Sequence, residues 1–173
     1  MTRLQGLPPI LDPNARVLIL GSMPGAASLQ AQQYYAHPRN AFWPIVGSFC
    51  GFAPGLPYAE RIAHLQRHGI GVWDVLQGCE RQGSLDRDIV PGSERYHDLA
   101  GLLVTLPRLR ALLCNGGLAF AQCRRSLRAS SDAERRQVAI VRLPSTSPAH
   151  AARSPVAKQA VWHAELARQL GPW

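Results

Sequence analysis

Lysine is nearly missing from this chain. Lys158 is its one example in 173 residues, so eighteen of the nineteen cationic side chains are arginine. Chemistry that needs an amine nucleophile has a single residue to draw on. Acidic residues are also few, eleven in all, which leaves a formal net charge of +8. A balance this basic favours a polyanionic partner, nucleic acid first. The arginine bias fits GC-rich coding equally well. Cysteine is sparse: Cys50, Cys79, Cys114 and Cys123 include no CxxC pair. That argues against a disulfide framework and against a closely spaced zinc or iron–sulfur site, and it predicts free buried thiols. No apolar run approaches the ~20 residues of a membrane span. Met1–Ile10 lacks the basic-then-apolar pattern of a signal peptide. A soluble, cytoplasmic protein with no membrane partner is therefore expected.

What is present suits a globular fold. The hydrophobic fraction of 46% excludes a wholly disordered or collagen-like chain. The length fits one domain over residues 1–173, with one sizeable core. Four short apolar runs read as buried strands: Arg16–Leu20, Gly69–Val75, Leu109–Asn115 and Gln137–Leu143. They are unbroken rather than alternating, as parallel strands are when helices cover both faces. Helical spacing predicts helices over Tyr58–Arg67, Glu94–Leu106, Leu118–Leu127 and Pro155–Leu170. The last has Ser154 as N-cap, Pro155 at its first position and a face of Val156, Ala160, Ala164, Ala167 and Leu170. Strands alternating with helices give an α/β architecture, in which ligands bind beyond the carboxyl ends of the strands.

Two of the segments after the strands are rich in Gly, Pro and Ser. The first begins Gly21-Ser22-Met23-Pro24-Gly25, a tight turn that can offer backbone N–H groups. It lacks the GK[ST] of a phosphate loop and the GxSxG of a hydrolase elbow. Tyr34, Tyr35, Asn40, Phe42 and Trp43 follow within ten residues, with His37 and Arg39 among them. Rings beside a fixed amide suit a pocket that stacks a flat base and positions a water. Phe42 and Trp43 are expected in the core, His37 as a loop-fixing side chain, and Tyr35 and Asn40 in function. The last such segment, Leu143–Pro155, is stiffened by prolines and carries Ser145, Thr146, Ser147, His150 and Arg153. Hydroxyls and backbone N–H groups there suit phosphate.

Taken together, LILGSMPG, YYAHPRNAFW, GVWDVL with GSLD, NGGLAF and LPSTSPAHA resemble the uracil-DNA glycosylase superfamily, with the hypoxanthine-DNA glycosylases the nearest group. The resemblance runs from about Arg16 to Gly171. It implies a three-layer α/β/α sandwich around a four-stranded parallel sheet. It also implies excision of a damaged base from double-stranded DNA without cofactor or metal. Mapped residue by residue, it gives the catalytic amide to Asn40 and the stacking ring to Tyr35. Base reading falls to Asp74 and the backbone of Ser22 and Met23. DNA contact falls to Arg39, Ser145, Ser147, His150 and Arg153. Three positions depart from relatives that act on uracil: Met23 and Asp74 stand where those have Asn, and Leu143 where they have a catalytic His.

The sequence leaves three alternatives open: a uracil- or mismatch-specific glycosylase, a serine hydrolase using His150 or His37 with Asp74, and a DNA-binding module without activity. Nothing demands more than a monomer. With Lys158 far from the first loop, base removal should leave the abasic strand intact. Arg81 and Arg87 are further candidates for phosphate contact, and Arg124, Arg125, Arg135 and Arg136 for DNA contact or a solvated basic face.

Overall fold

The computed structural model describes residues 3–128, 130 and 137–171. Its centre is a parallel sheet of four strands: β2 (Val17–Gly21), β3 (Ile70–Asp74), β6 (Ala111–Asn115) and β7 (Ala139–Leu143), in the order β3-β2-β6-β7. Each coincides with one of the four apolar runs to within one or two residues. The register pairs Val17 with both Ile70 and Ala111, so Gly21, Asp74 and Asn115 finish near one edge.

Alternation along β2 divides the core. Val17 and Ile19 pack with helices α2 (Phe42–Cys50), α3 (Tyr58–Arg67) and α6 (Pro155–Leu170), whereas Leu18 and Leu20 pack with α4 (Leu99–Thr105) and α5 (Gly117–Ser126). This is the three-layer arrangement. Every residue of β2 is buried, which explains why the strand reads as continuously apolar rather than alternating. A further helix of six residues, α1 (Ala26–Ala31), lies in the first loop.

Four features depart from the sequence-based expectation. Helices α1 and α2 form where no helix is expected. A second, antiparallel sheet is built from β1 (Arg3–Gln5), β4 (Leu76–Glu80) and β5 (Arg95–Tyr96), in the order β1-β4-β5. The helix expected over Glu94–Leu106 begins only at Leu99. Asp98 caps it by accepting from the Gly101 N–H, and β5 occupies the preceding residues. Finally, α6 has the expected bounds and the Ser154 cap but buries a different face: Lys158, Trp162, Leu166 and Leu170, with Val156 79% exposed. The bulk of Trp162 sets that face, because it fills the space against α2 that alanines would leave empty.

Candidate active site

A cleft of about 710 Å³ opens at the carboxyl ends of the parallel strands. The first loop, the segment after β4, the start of α5 and the loop after β7 line it. Nine of the ten residues expected at the site reach it: Ser22, Met23, Tyr35, Arg39, Asn40, Asp74, Ser145, Ser147 and His150. Arg153 is exposed and does not line it. Arg135 and Arg136 lie outside the described residues.

The first loop is fixed by its own aromatics. Tyr34 is core: its hydroxyl donates to the Leu7 carbonyl, its N–H donates to the Tyr58 hydroxyl, and its carbonyl accepts from the Trp43 indole. Arg61 lies 4.4 Å from the centre of the Trp43 ring. Tyr35 follows in the left-handed region at φ +53°, a conformation that costs a non-glycine residue about 1–3 kcal/mol. It directs the ring onto Phe42, stacked at 3.9 Å. Burial raises the Tyr35 hydroxyl well above its usual range, so it stays neutral. His37 accepts from the Arg39 N–H through Nδ1, the loop-fixing role expected of it.

Asn40 stands just ahead of α2. Its Oδ1 accepts from the Phe42 N–H at 3.0 Å, and its own N–H donates to the His37 carbonyl. The amide is thus held in one orientation, with the remaining oxygen lone pair and the Nδ2 hydrogens available to the cleft. Phe42 and Trp43 are core, as expected.

Asp74 closes β3 on the cleft floor, 4% exposed. An added Cβ on Gly21 would overlap its Oδ1, so glycine is required there by space rather than by backbone angle. Burial, reinforced by the nearby Asp86, pushes the Asp74 carboxyl up to about 8, with Arg81 opposing. Asp86 is itself raised by burial and drawn back by the Ser22 hydroxyl, which donates to its Oδ1 at 2.5 Å. Met23 packs its side chain with Leu76 and Cys79 beneath the small sheet, which leaves only its backbone to serve the cleft.

Several residues that build the site were not anticipated. Asn115, at the end of β6, donates from Nδ2 to the Thr146 hydroxyl and accepts at Oδ1 from the Thr146 N–H, both at 2.9 Å. The Thr146 carbonyl then accepts from the Ala41 N–H. One side chain therefore joins the sheet, the last loop and the first loop. Behind the last loop, Trp162 donates to the Pro144 carbonyl and Lys158 to the Ser147 carbonyl. Lys158 is 5% exposed and its ammonium is lowered by burial. It braces the loop and does not line the cleft. Arg81, a candidate phosphate contact, is instead buried: it donates to the Pro24 and Gly83 carbonyls and straps the segment after β4 to the first loop. The signal for Asn115 was a polar residue ending an apolar strand at the carboxyl edge. Arg81 carried none, because composition does not show which way an arginine points.

The family model of the uracil DNA glycosylase superfamily matches residues 8–170. This chain belongs to that superfamily. It is 40% identical over 113 residues to a hypoxanthine DNA glycosylase of Methanosarcina acetivorans and equally to one of Methanosarcina barkeri, covering 65% of this chain and 70% of each relative. Among solved structures it resembles the solution structure of a candidate uracil DNA glycosylase from Methanosarcina acetivorans. The TM-score is 0.76 at 30% identity, with 97% of this chain and 99% of the other aligned. As a DNA glycosylase it hydrolyses an N-glycosidic bond and acts on DNA. No described helix is long and apolar enough to cross a membrane. No group of three or more metal-ligating side chains occurs among the described residues.

Proposed function

We propose that this glycosylase removes hypoxanthine from deoxyinosine in double-stranded DNA and leaves an unbroken strand with an abasic site. The observation that carries the reading is the meeting of Tyr35, Asn40 and Asp74 on one cleft beyond the strand ends. The names of its Methanosarcina relatives support the choice of base. Met23, whose side chain is buried under the small sheet, supplies no amide where relatives that act on uracil use one.

In this mechanism the nucleotide leaves the stack, at a cost of a few kcal/mol that is smallest for a poorly paired base. Tyr35, held from behind by Phe42, stacks on the purine. Asp74 and the backbone of Ser22 and Met23 take its edge. The glycosidic bond lengthens toward an oxocarbenium-like sugar. Asn40 holds the attacking water in line. An amide is too weak a base to ionise water, so orientation and electrostatics carry the rate. The reaction uses no cofactor. Ser145, Ser147 and His150, with Arg39 and Arg153, hold the DNA backbone. Two of these hydroxyls also shape the loop: the Ser145 Oγ accepts from the Ser147 N–H and the Ser147 Oγ from the Ala149 N–H. The protein works as a monomer in the cytoplasm, where its four buried free cysteines stay reduced.

The test is excision from labelled duplexes carrying one hypoxanthine or one uracil, followed by alkali. Release of hypoxanthine well ahead of uracil supports the reading. Release of uracil alone overturns the substrate, and release of neither overturns the whole proposal.

A further inference from the structure

Asp74 is unusual even for an active-site carboxyl. Its Oδ2 is buried without a hydrogen-bond partner. The titratable and charged groups that face it are Asp86 from the short 3-10 turn Asp86–Asp88, Arg81 just past β4, and Tyr34 and Tyr35 from the first loop. The one cation among them, Arg81, opposes the upward push on the carboxyl but makes no hydrogen bond to Asp74: its Nε and one terminal nitrogen donate to Gly83 and Pro24, and its other terminal nitrogen is buried without a partner. Ser22 is turned onto Asp86. An ionised Asp74 would be a buried anion with an unmade acceptor, next to a second carboxyl, in a cleft that must admit a polyanion. Each of these favours the un-ionised form. A neutral carboxyl offers one O–H donor and one carbonyl acceptor, the same pair that an amide offers.

We propose that Asp74 reads the flipped base as a carboxylic acid, its O–H donating to a ring carbonyl and its C=O accepting from the adjacent ring N–H, with Asp86 the positioning residue behind it. The inference rests on the glycosylase reading above and deepens it. The ligand class is a base with a carbonyl beside a protonated ring nitrogen, as hypoxanthine has on its six-membered ring. The carboxylate form would set a lone pair against that carbonyl. The acid does not by itself reject adenine, whose ring nitrogen and amino group form the mirror pair. Adenine is excluded by the firmness of its pairing in the duplex, which makes it costly to flip.

The carboxyl is pushed up to about 8, so the reading form predominates at neutral pH and is lost above that value. Single-turnover excision of hypoxanthine across pH 6 to about 10 should therefore fall about tenfold per unit on the alkaline side. Asp74→Ala should lose activity and Asp74→Asn should restore it. The Asn variant keeps only the fall that comes from ionisation of the substrate's own ring N–H, so its alkaline limb lies above that of the wild type. Asp86→Asn removes the neighbouring negative charge, makes Asp74 easier to ionise, and moves the limb to lower pH. Superimposable wild-type and Asp74→Asn profiles overturn the proposal. So does a folded Asp74→Asn protein as inactive as Asp74→Ala. If Asp74→Asn does not fold, an Asp86→Asn limb that stays in place overturns it and one that moves down supports it. Wild-type protein that excises no hypoxanthine at any pH overturns the substrate reading instead, a result distinct from excision with unmoved profiles.

Discussion

Replacing Asn115 with alanine should loosen both loops of the cleft at once. In the native structure its amide makes two 2.9 Å bonds to Thr146, which is 1% exposed. The variant loses both bonds, worth about 0.5–1.5 kcal/mol each, and leaves a buried Thr146 N–H without a partner. A net loss of about 3 kcal/mol follows. At about 2–4 °C per kcal/mol for a chain of this size, the melting temperature should drop by about 6–12 °C. Two companions locate the effect. Thr146→Val removes only the hydroxyl bond and should cost less. Asn115→Asp should fall between wild type and alanine, because the Thr146 hydroxyl can reverse and donate to a carboxylate while the N–H bond survives. The assay is thermal unfolding of the four proteins together with the Asn115→Ala/Thr146→Val double variant. Singles that sum to the double, or a melting shift under about 2 °C for Asn115→Ala, would refute the idea that this residue joins the loops.

Gly21→Ala sets a Cβ against the Asp74 carboxyl and should cut excision by at least tenfold while the sheet still forms, read as rate against circular dichroism. Lys158→Met should keep excision within about threefold and neither protein should nick the abasic strand without alkali; nicking by the wild type that disappears in the variant would make the lysine a nucleophile. DNA affinity should weaken as salt rises, and Arg39→Ala, at an exposed residue of the cleft rim, should reduce the slope of log affinity against log salt by about one.

The parallel sheet could be read because each strand is buried on both faces, as β2 is throughout. The bounds of α6 could be read because its start signals, Ser154 and Pro155, lie in the chain itself, and those of α3 because Ile62 and Leu65 keep helical spacing. Helix α2 was hidden by Pro44 and Gly47, although Pro44 sits in the first turn, where its missing N–H has no intrahelical partner to lose. The small sheet was hidden because strands of two and three residues carry no period. At the site, Tyr35 and Asn40 stood out through the density of rings and amides around them. Asn115 and Asp86 did not, because their roles depend on which strand ends the fold brings together, and Thr146, expected among the loop hydroxyls that suit phosphate, is instead buried against Asn115. Arg81 shows the converse: its charge suggested a surface contact, and two backbone carbonyls hold it inside.

Asn40 carries the chemistry proposed for the cleft. Its Oδ1 is fixed by the Phe42 N–H, so truncation removes the amide proposed to hold the attacking water while Phe42 stays packed in the core. The direct measurement is single-turnover excision of hypoxanthine by Asn40→Ala, alongside its affinity for the same duplex. The expected result is a rate lower by about 10²–10³, the range for one lost transition-state hydrogen-bonding group, with affinity changed by less than about threefold. A variant that excises at the wild-type rate would contradict the mechanism.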